Sequence, residues 1–161
     1  MRLLIAAVGK LKQGPERELC THYFGRAEAL GRSLGLSPLS SIELSESRAP
    51  DSAARRSAEA EALLAKIPDD FIVISLDPHG ETRSSEAFAS TLGAWRDDAV
   101  APGAAFVIGG PDGHGQAVLD RAALSLSLGP MTLPHGLARI VLAEQLYRAM
   151  TILAGHPYHR A

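Results

Sequence analysis

With one cysteine, Cys20, among 161 residues, the chain can form no internal disulfide and no cysteine-rich zinc site. That scarcity fits a cytoplasmic address. It also lacks the run of about eighteen apolar residues that a membrane span needs. The opening Met1–Val8 is apolar but short, and Gly9-Lys10-Leu11-Lys12 follows at once, so it reads as a buried strand rather than a signal peptide. There is no excess of positive charge: the formal net charge is −2, which argues against nucleic-acid binding by bulk electrostatics. Internal repeats and low-complexity segments are absent as well.

What is present suits one globular domain, residues 1–161, of which 46% are hydrophobic. Strand-like runs at Leu3–Val8, Leu39–Leu44, Phe71–Leu76, Ala104–Ile108 and Leu124–Leu128 alternate with helical patterns. The helices read as Pro15 to about Leu34, Asp51 to about Lys66, Ser84–Asp98, Gln116–Ala122 and His135–Ala154. This order predicts an α/β fold with a mainly parallel sheet and helices on both faces. The Ser-rich stretch Ser37–Ser52, with Pro38 and Pro50, reads as its most flexible part, a surface loop rather than a domain boundary. Charge is uneven: residues 67–130 hold three Arg and nine acids, while 131–161 hold three Arg, one Glu and three His. An anion-facing surface is therefore expected from the last segment.

In open α/β sheets ligands bind beyond the carboxyl ends of strands. Three strands end in unusual loops: Leu76-Asp77-Pro78-His79-Gly80, Gly109-Gly110-Pro111-Asp112-Gly113, and Leu128-Gly129-Pro130-Met131-Thr132-Leu133. The glycine loop could bring backbone N–H groups close to a ligand, or be an ordinary tight turn. It is neither a P-loop nor a G-x-G-x-x-G fingerprint. In the third loop Met131 could cover an aromatic base, or pack with Leu133 into the core.

His135 and Arg139 lie one turn apart at the start of the last helix, where a positive pair could meet phosphate or orient a base; His135 could equally bond the preceding loop. Glu144 and Arg148 read as a simple intrahelical ion pair. That helix is apolar almost all round, from Leu137 to Leu153, which suggests a partner helix and a homodimer; a fully central helix is the alternative. The closing His156-Pro157-Tyr158-His159-Arg160 could stack on and charge-pair with a nucleotide, or be a tail ordered only by packing. No third ligand accompanies its histidines, so no metal is expected.

Taken in order, these segments resemble the SPOUT-class RNA methyltransferases, and within them the RlmH (YbeA) type that methylates N3 of a pseudouridine in large-subunit rRNA. The resemblance runs from Ala7-Val8-Gly9-Lys10 through Leu76-Asp77, the glycine loop and Thr132-Leu133-Pro134-His135. It closes with Ala143–Ala149 and His156–Arg160. It implies a trefoil knot within about residues 71–161, an obligate homodimer, and S-adenosylmethionine as cofactor. The cofactor's contacts would be Leu76, Gly109, Gly110, Leu128, Gly129, Pro130, Met131, Thr132 and Leu133. It further implies 23S rRNA within the assembled 70S ribosome as substrate, which accounts for the lack of a basic pI. His135 becomes the candidate base or orienter, and Tyr158, His159 and Arg160 candidates for holding the nucleotide across the dimer. One departure is Asp112, where Glu is common in such relatives.

Two rivals compete with this reading: a non-catalytic RNA- or ribosome-binding module on the same fold, and a small metabolic enzyme binding an adenine nucleotide.

Overall fold

Leu3, Ile5 and Ala7 face one side of β1 (Arg2–Val8) while Leu4, Ala6 and Val8 face the other, and all six are buried. The same two-sided burial holds for β4 (Gly103–Ile108), where Phe106 is fully enclosed. Strands apolar on both faces belong inside a parallel sheet covered by helices. The computed structural model, which describes residues 1–159, has that architecture.

Three further strands complete the sheet: β2 (Leu39–Leu44), β3 (Ile72–Thr82) and β5 (Leu124–Ser127). The order is β2-β1-β4-β3-β5 and every neighbouring pair is parallel. Helices α1 (Pro15–Ser33), α3 (Ser85–Asp97) and α5 (His135–Leu153) cover one face, where Ala27, Phe88, Leu92, Leu142, Leu146 and Met150 join the core. Helices α2 (Ser52–Leu64) and α4 (Gln116–Arg121) cover the other, through Ala60, Leu63 and Val118. Asp51 caps α2 by accepting the Ala54 N–H at 2.8 Å, the role its position predicts.

Four expectations need correction. Strand β3 does not stop at Leu76: Asp77–Gly80 bulge out, and pairing with β5 resumes at Glu81 and Thr82. The stretch 37–52 is not a free loop: outside β2, which the sequence already marks as a strand, it is tied to α2 by Ser47 and Ala49. Helix α5 is the central helix of its face, buried between α1 and α3, so most of its apolar surface is covered within one chain. What stays exposed is Leu137, at 42%, near Met131, at 80%, on the loop before the helix. Arg139, finally, is 3% exposed and locked in an ion pair with Glu43, so it cannot serve a phosphate.

Candidate active site

Parallel pairing puts the carboxyl ends of β4, β3 and β5 side by side, with β3 in the middle. Leu76 is in register with Ile108, the residue before Gly109, and with Leu126, two before Leu128. Gly109 and Leu128 thus lie one and two residues beyond the level of Leu76, on strands about 10 Å apart with β3 between them. Of the three loops expected to converge, the one after Leu76 is tied to both others, to the 128–133 loop through Ser127 and to the glycine turn through His114. Ser127, 7% exposed, ties two of them: its hydroxyl donates to Pro78 O at 3.1 Å and accepts the Gly129 N–H at 3.1 Å. Gly129 takes φ +121, a conformation few side chains tolerate. Pro130, Met131 and Thr132 stand exposed on the loop it starts, so Met131 is not a core residue.

The glycine segment is a tight turn, closed by the Gly113 N–H donating to Gly110 O at 3.0 Å, with Gly113 at φ +85. Asp112 projects from it to Arg55 on α2, a two-pronged pair with distances of 2.6 and 3.1 Å. The guanidinium holds the Asp112 carboxyl below its usual range, chiefly by hydrogen bonding. Beneath Gly110 lies Glu59, 5% exposed, whose Oε2 has no hydrogen-bond partner among the described residues. A Cβ on Gly110 would sit 2.7 Å from that oxygen.

His114 follows the turn. Its Nε2 bonds Leu76 O at 2.9 Å, an arrangement in which the ring nitrogen donates, and its Nδ1 is buried beside Gly109 without a partner among the described residues. Burial pushes this imidazole below its ordinary value, outweighing the Leu76 bond and the Asp77 charge. Two unpartnered polar atoms, Glu59 Oε2 and His114 Nδ1, therefore flank the two glycines expected to meet a cofactor.

His135 is the first residue of α5 and stands against Gly9, just past the end of β1. Its Nδ1 too is buried and has no partner among the described residues, so it does not bond the preceding loop through that atom. The Gly9 carbonyl accepts from Arg139 at 2.8 Å, which fixes the backbone against which the imidazole rests.

The closing segment lies elsewhere on the chain. Tyr158 packs on Tyr147 with ring centroids 4.7 Å apart, and its hydroxyl donates to Glu144 at 3.1 Å. Arg148 and Arg26 sit over the Tyr158 ring at 5.0 and 5.4 Å. Burial pushes the Tyr158 phenol up to about 12, helped by hydrogen bonds to Tyr23 and Glu144. His159 Nε2 is 2.8 Å from Glu86 on α3. Glu144 and Arg148 do form an ion pair, but as part of this cluster. Nine residues of helix separate Glu144 from His135, about 14 Å at 1.5 Å per residue. One chain therefore brings Leu76, Gly109, Gly110 and the 128–133 loop to one sheet edge, and keeps Tyr158 and His159 apart from His135. The expectation for Arg160 lies outside the described residues.

A family model described as "Predicted SPOUT methyltransferase" matches residues 1–159. The chain belongs to the SPOUT methyltransferase family. It is 54% identical, over the whole of both chains, to a protein of Rhodopseudomonas palustris named ribosomal RNA large subunit methyltransferase H. A protein of the same name from Nitrobacter winogradskyi is 52% identical over 99% of each chain. A solved structure, a probable methylase family protein from Haemophilus influenzae Rd KW20, is a distant likeness: 16% identity over 99% of this chain and 70% of that one, TM-score 0.48.

Sequence reasoning passed over three residues that lie beside the candidate site. Glu59 shares the inner stripe of α2 with Ala60 and Leu63, so helical periodicity alone could have turned it inward. Ser127 occupies a strand position of period two but is buried, like Ser75 on β3, and nothing in the alternation marks it. His114 carried the one available signal, a histidine directly after a glycine turn that follows a buried strand.

Proposed function

We propose that this SPOUT methyltransferase transfers a methyl group from S-adenosylmethionine to N3 of a pseudouridine in 23S rRNA, on the assembled 70S ribosome, as a cytoplasmic homodimer. The observation that carries the reading is that Leu76, where β3 begins to bulge, is flanked within two residues of its level by Gly109 after β4 and Leu128 after β5, while His135 opens α5 with its Nδ1 buried and unpartnered among the described residues. The full-length likeness to proteins named ribosomal RNA large subunit methyltransferase H supports the acceptor class. Residues 1–161 act as a single SPOUT domain, knotted within about 71–161.

The residues present fit the cofactor. Gly109 and Gly110 carry no side chain where a ligand must approach, and the buried acceptor His114 Nδ1 lies beside Gly109. Gly109, Gly110 and the backbone of Leu128–Leu133 would hold it, with Leu76 beneath and the exposed Met131 closing over the base. When bound, the cofactor supplies a methyl group on a sulfonium centre. The chain's own task is to place the acceptor in line with that methyl and to take its proton. The N3–H of the acceptor is weakly acidic, and the His135 imidazole is the candidate base or orienter; because its Nδ1 is enclosed against Gly9, Nε2 is the ring nitrogen that would offer the acceptor a lone pair. Tyr158, His159 and Arg160 hold the nucleotide. Since one chain keeps Tyr158 and His159 away from His135, they serve the site of the other protomer, and Met131 and Leu137 supply exposed apolar surface for the contact.

The test incubates the purified protein with methyl-labelled S-adenosylmethionine and 70S ribosomes that lack the modification. Label at pseudouridine N3 of 23S rRNA, absent with free subunits, is the expected result. Cofactor binding without label would move the acceptor elsewhere, and no cofactor binding would favour a non-catalytic ribosome-binding module. Should His135→Ala and Tyr158→Phe both fold and methylate at the wild-type rate, their assigned roles are wrong.

A further inference from the structure

Two side chains one turn apart on α2 reach in the same two directions. Arg55 donates through one nitrogen to Ala49 O at 3.2 Å and to Pro50 O at 3.4 Å, and grips Asp112 of the glycine turn with two others. Glu59 accepts the Ser47 N–H on Oε1 at 2.8 Å and presses Oε2 against Gly110. Each therefore holds the segment after β2 on one side and the glycine turn on the other. The end of the turn is seated on the same helix: a Cβ on Gly115 would fall 2.4 Å from Arg56 O and 2.8 Å from the Ala60 Cβ.

Packing alone would not require these groups. A helix can be seated on a loop by apolar side chains, whereas an enclosed carboxylate oxygen without a donor is unfavourable. Bidentate guanidinium–carboxylate pairs fix direction as well as distance. Here both devices act on a turn of five residues that directly follows a buried strand.

We propose that Arg55 and Glu59 are positioning residues for the cofactor: they set the height and tilt of the Gly109–Gly113 turn over the end of β4 and couple it to the segment after β2. They touch no reacting atom and act through the turn's backbone. The inference rests on the functional reading above, since it takes that turn to be the cofactor's seat. Asp112 thereby gains a role, as the handle by which α2 holds the turn.

The experiment measures S-adenosylmethionine binding to the full-length protein by calorimetry, with methyl transfer to 70S ribosomes assayed in parallel. Arg55→Ala and Asp112→Ala should each weaken cofactor binding about tenfold, and the double variant no more than either alone, because both remove one pair. Glu59→Gln, nearly isosteric and still able to accept from Ser47, should weaken it by a similar factor, and Arg55→Lys by less than Arg55→Ala. Turnover at saturating cofactor and the KM for ribosomes should stay within about twofold, a split that general loosening of the fold would not produce. Cofactor affinities within about twofold of wild type in both Arg55→Ala and Glu59→Gln would overturn the proposal, as would losses that multiply in the double variant. Wild-type protein that binds no cofactor would sink the functional reading along with this one; wild-type binding with unaffected variants would sink this one alone.

Discussion

The imidazole of His135 rests on Gly9 so closely that a methyl group built on the glycine would lie 2.7 Å from both Cε1 and Nδ1. Gly9 is also at φ +92, where L side chains are strained. The residue after β1 and the first residue of α5 are therefore a matched pair. Gly9→Ala should push the ring out of place, slowing methyl transfer at least about tenfold. Cofactor affinity should hold, since Gly9 lies beyond β1 and not at the cofactor loops. Single-turnover rates and cofactor titration on the same preparation check this; an unchanged rate would remove His135 from the reaction.

Separation of His135 from Tyr158 within one chain leads to a subunit-mixing experiment. His135→Ala and Tyr158→Ala proteins should each be nearly inactive. Co-refolded in equal amounts, they should recover roughly a quarter of wild-type activity, because half the dimers are mixed and each mixed dimer has one intact site. No recovery, with mixed dimers verified by mass spectrometry, would place both residues in a single chain's site.

Glu43 accepts from Arg139 and from the Leu11 N–H, at 3.1 Å for the latter, beneath the turn that carries Gly9. Glu43→Gln would leave the guanidinium of Arg139 enclosed without its counter-charge. The loss should be about 3 kcal/mol of folding stability, since Arg139 is almost fully buried. Urea denaturation measures it, and a loss below about 0.5 kcal/mol would show the pair to behave as a surface one.

His114 gives a pH signature. Its folded pKa is depressed below the ordinary 6.5 by burial, so between those two values the unfolded chain carries a proton that the folded chain refuses. Stability should accordingly decline as pH falls below 6.5 and level off below the folded pKa. His114→Gln should flatten that part of the profile. Denaturation midpoints between pH 5 and 7.5 decide it; identical slopes for the two proteins would mean that His114 titrates normally.

Much of the scaffold was readable because local chemistry and fold agree. Asp51 sits where a capping residue belongs, and the two-sided apolar runs of β1 and β4 announce a covered parallel sheet. The converging loops were also readable, since each breaks an apolar run with glycine or proline. Arg139 was misjudged because an arginine one turn from a histidine looks the same in sequence whether or not a glutamate nearly a hundred residues away awaits it. The apolar character of α5 was misassigned for a related reason. Periodicity shows how much surface a helix must hide, but not whether α1 and α3 or a second copy hides it. Strand order, on which the alignment of Leu76, Gly109 and Leu128 depends, is a property of crossovers and leaves no local mark.

An all-parallel sheet also separates the molecule into a working rim and an idle one. All strands leave toward the side that holds the glycine turn, His135 and the 128–133 loop. The connections that enter them, around Gly35, Pro68, Pro102 and Ala123, collect on the opposite rim, and the amino group of Met1 is there too, bonded to Gly35 O. Affinity handles, fluorophores or surface-immobilising groups attached on that idle rim should leave the chemistry of the other undisturbed.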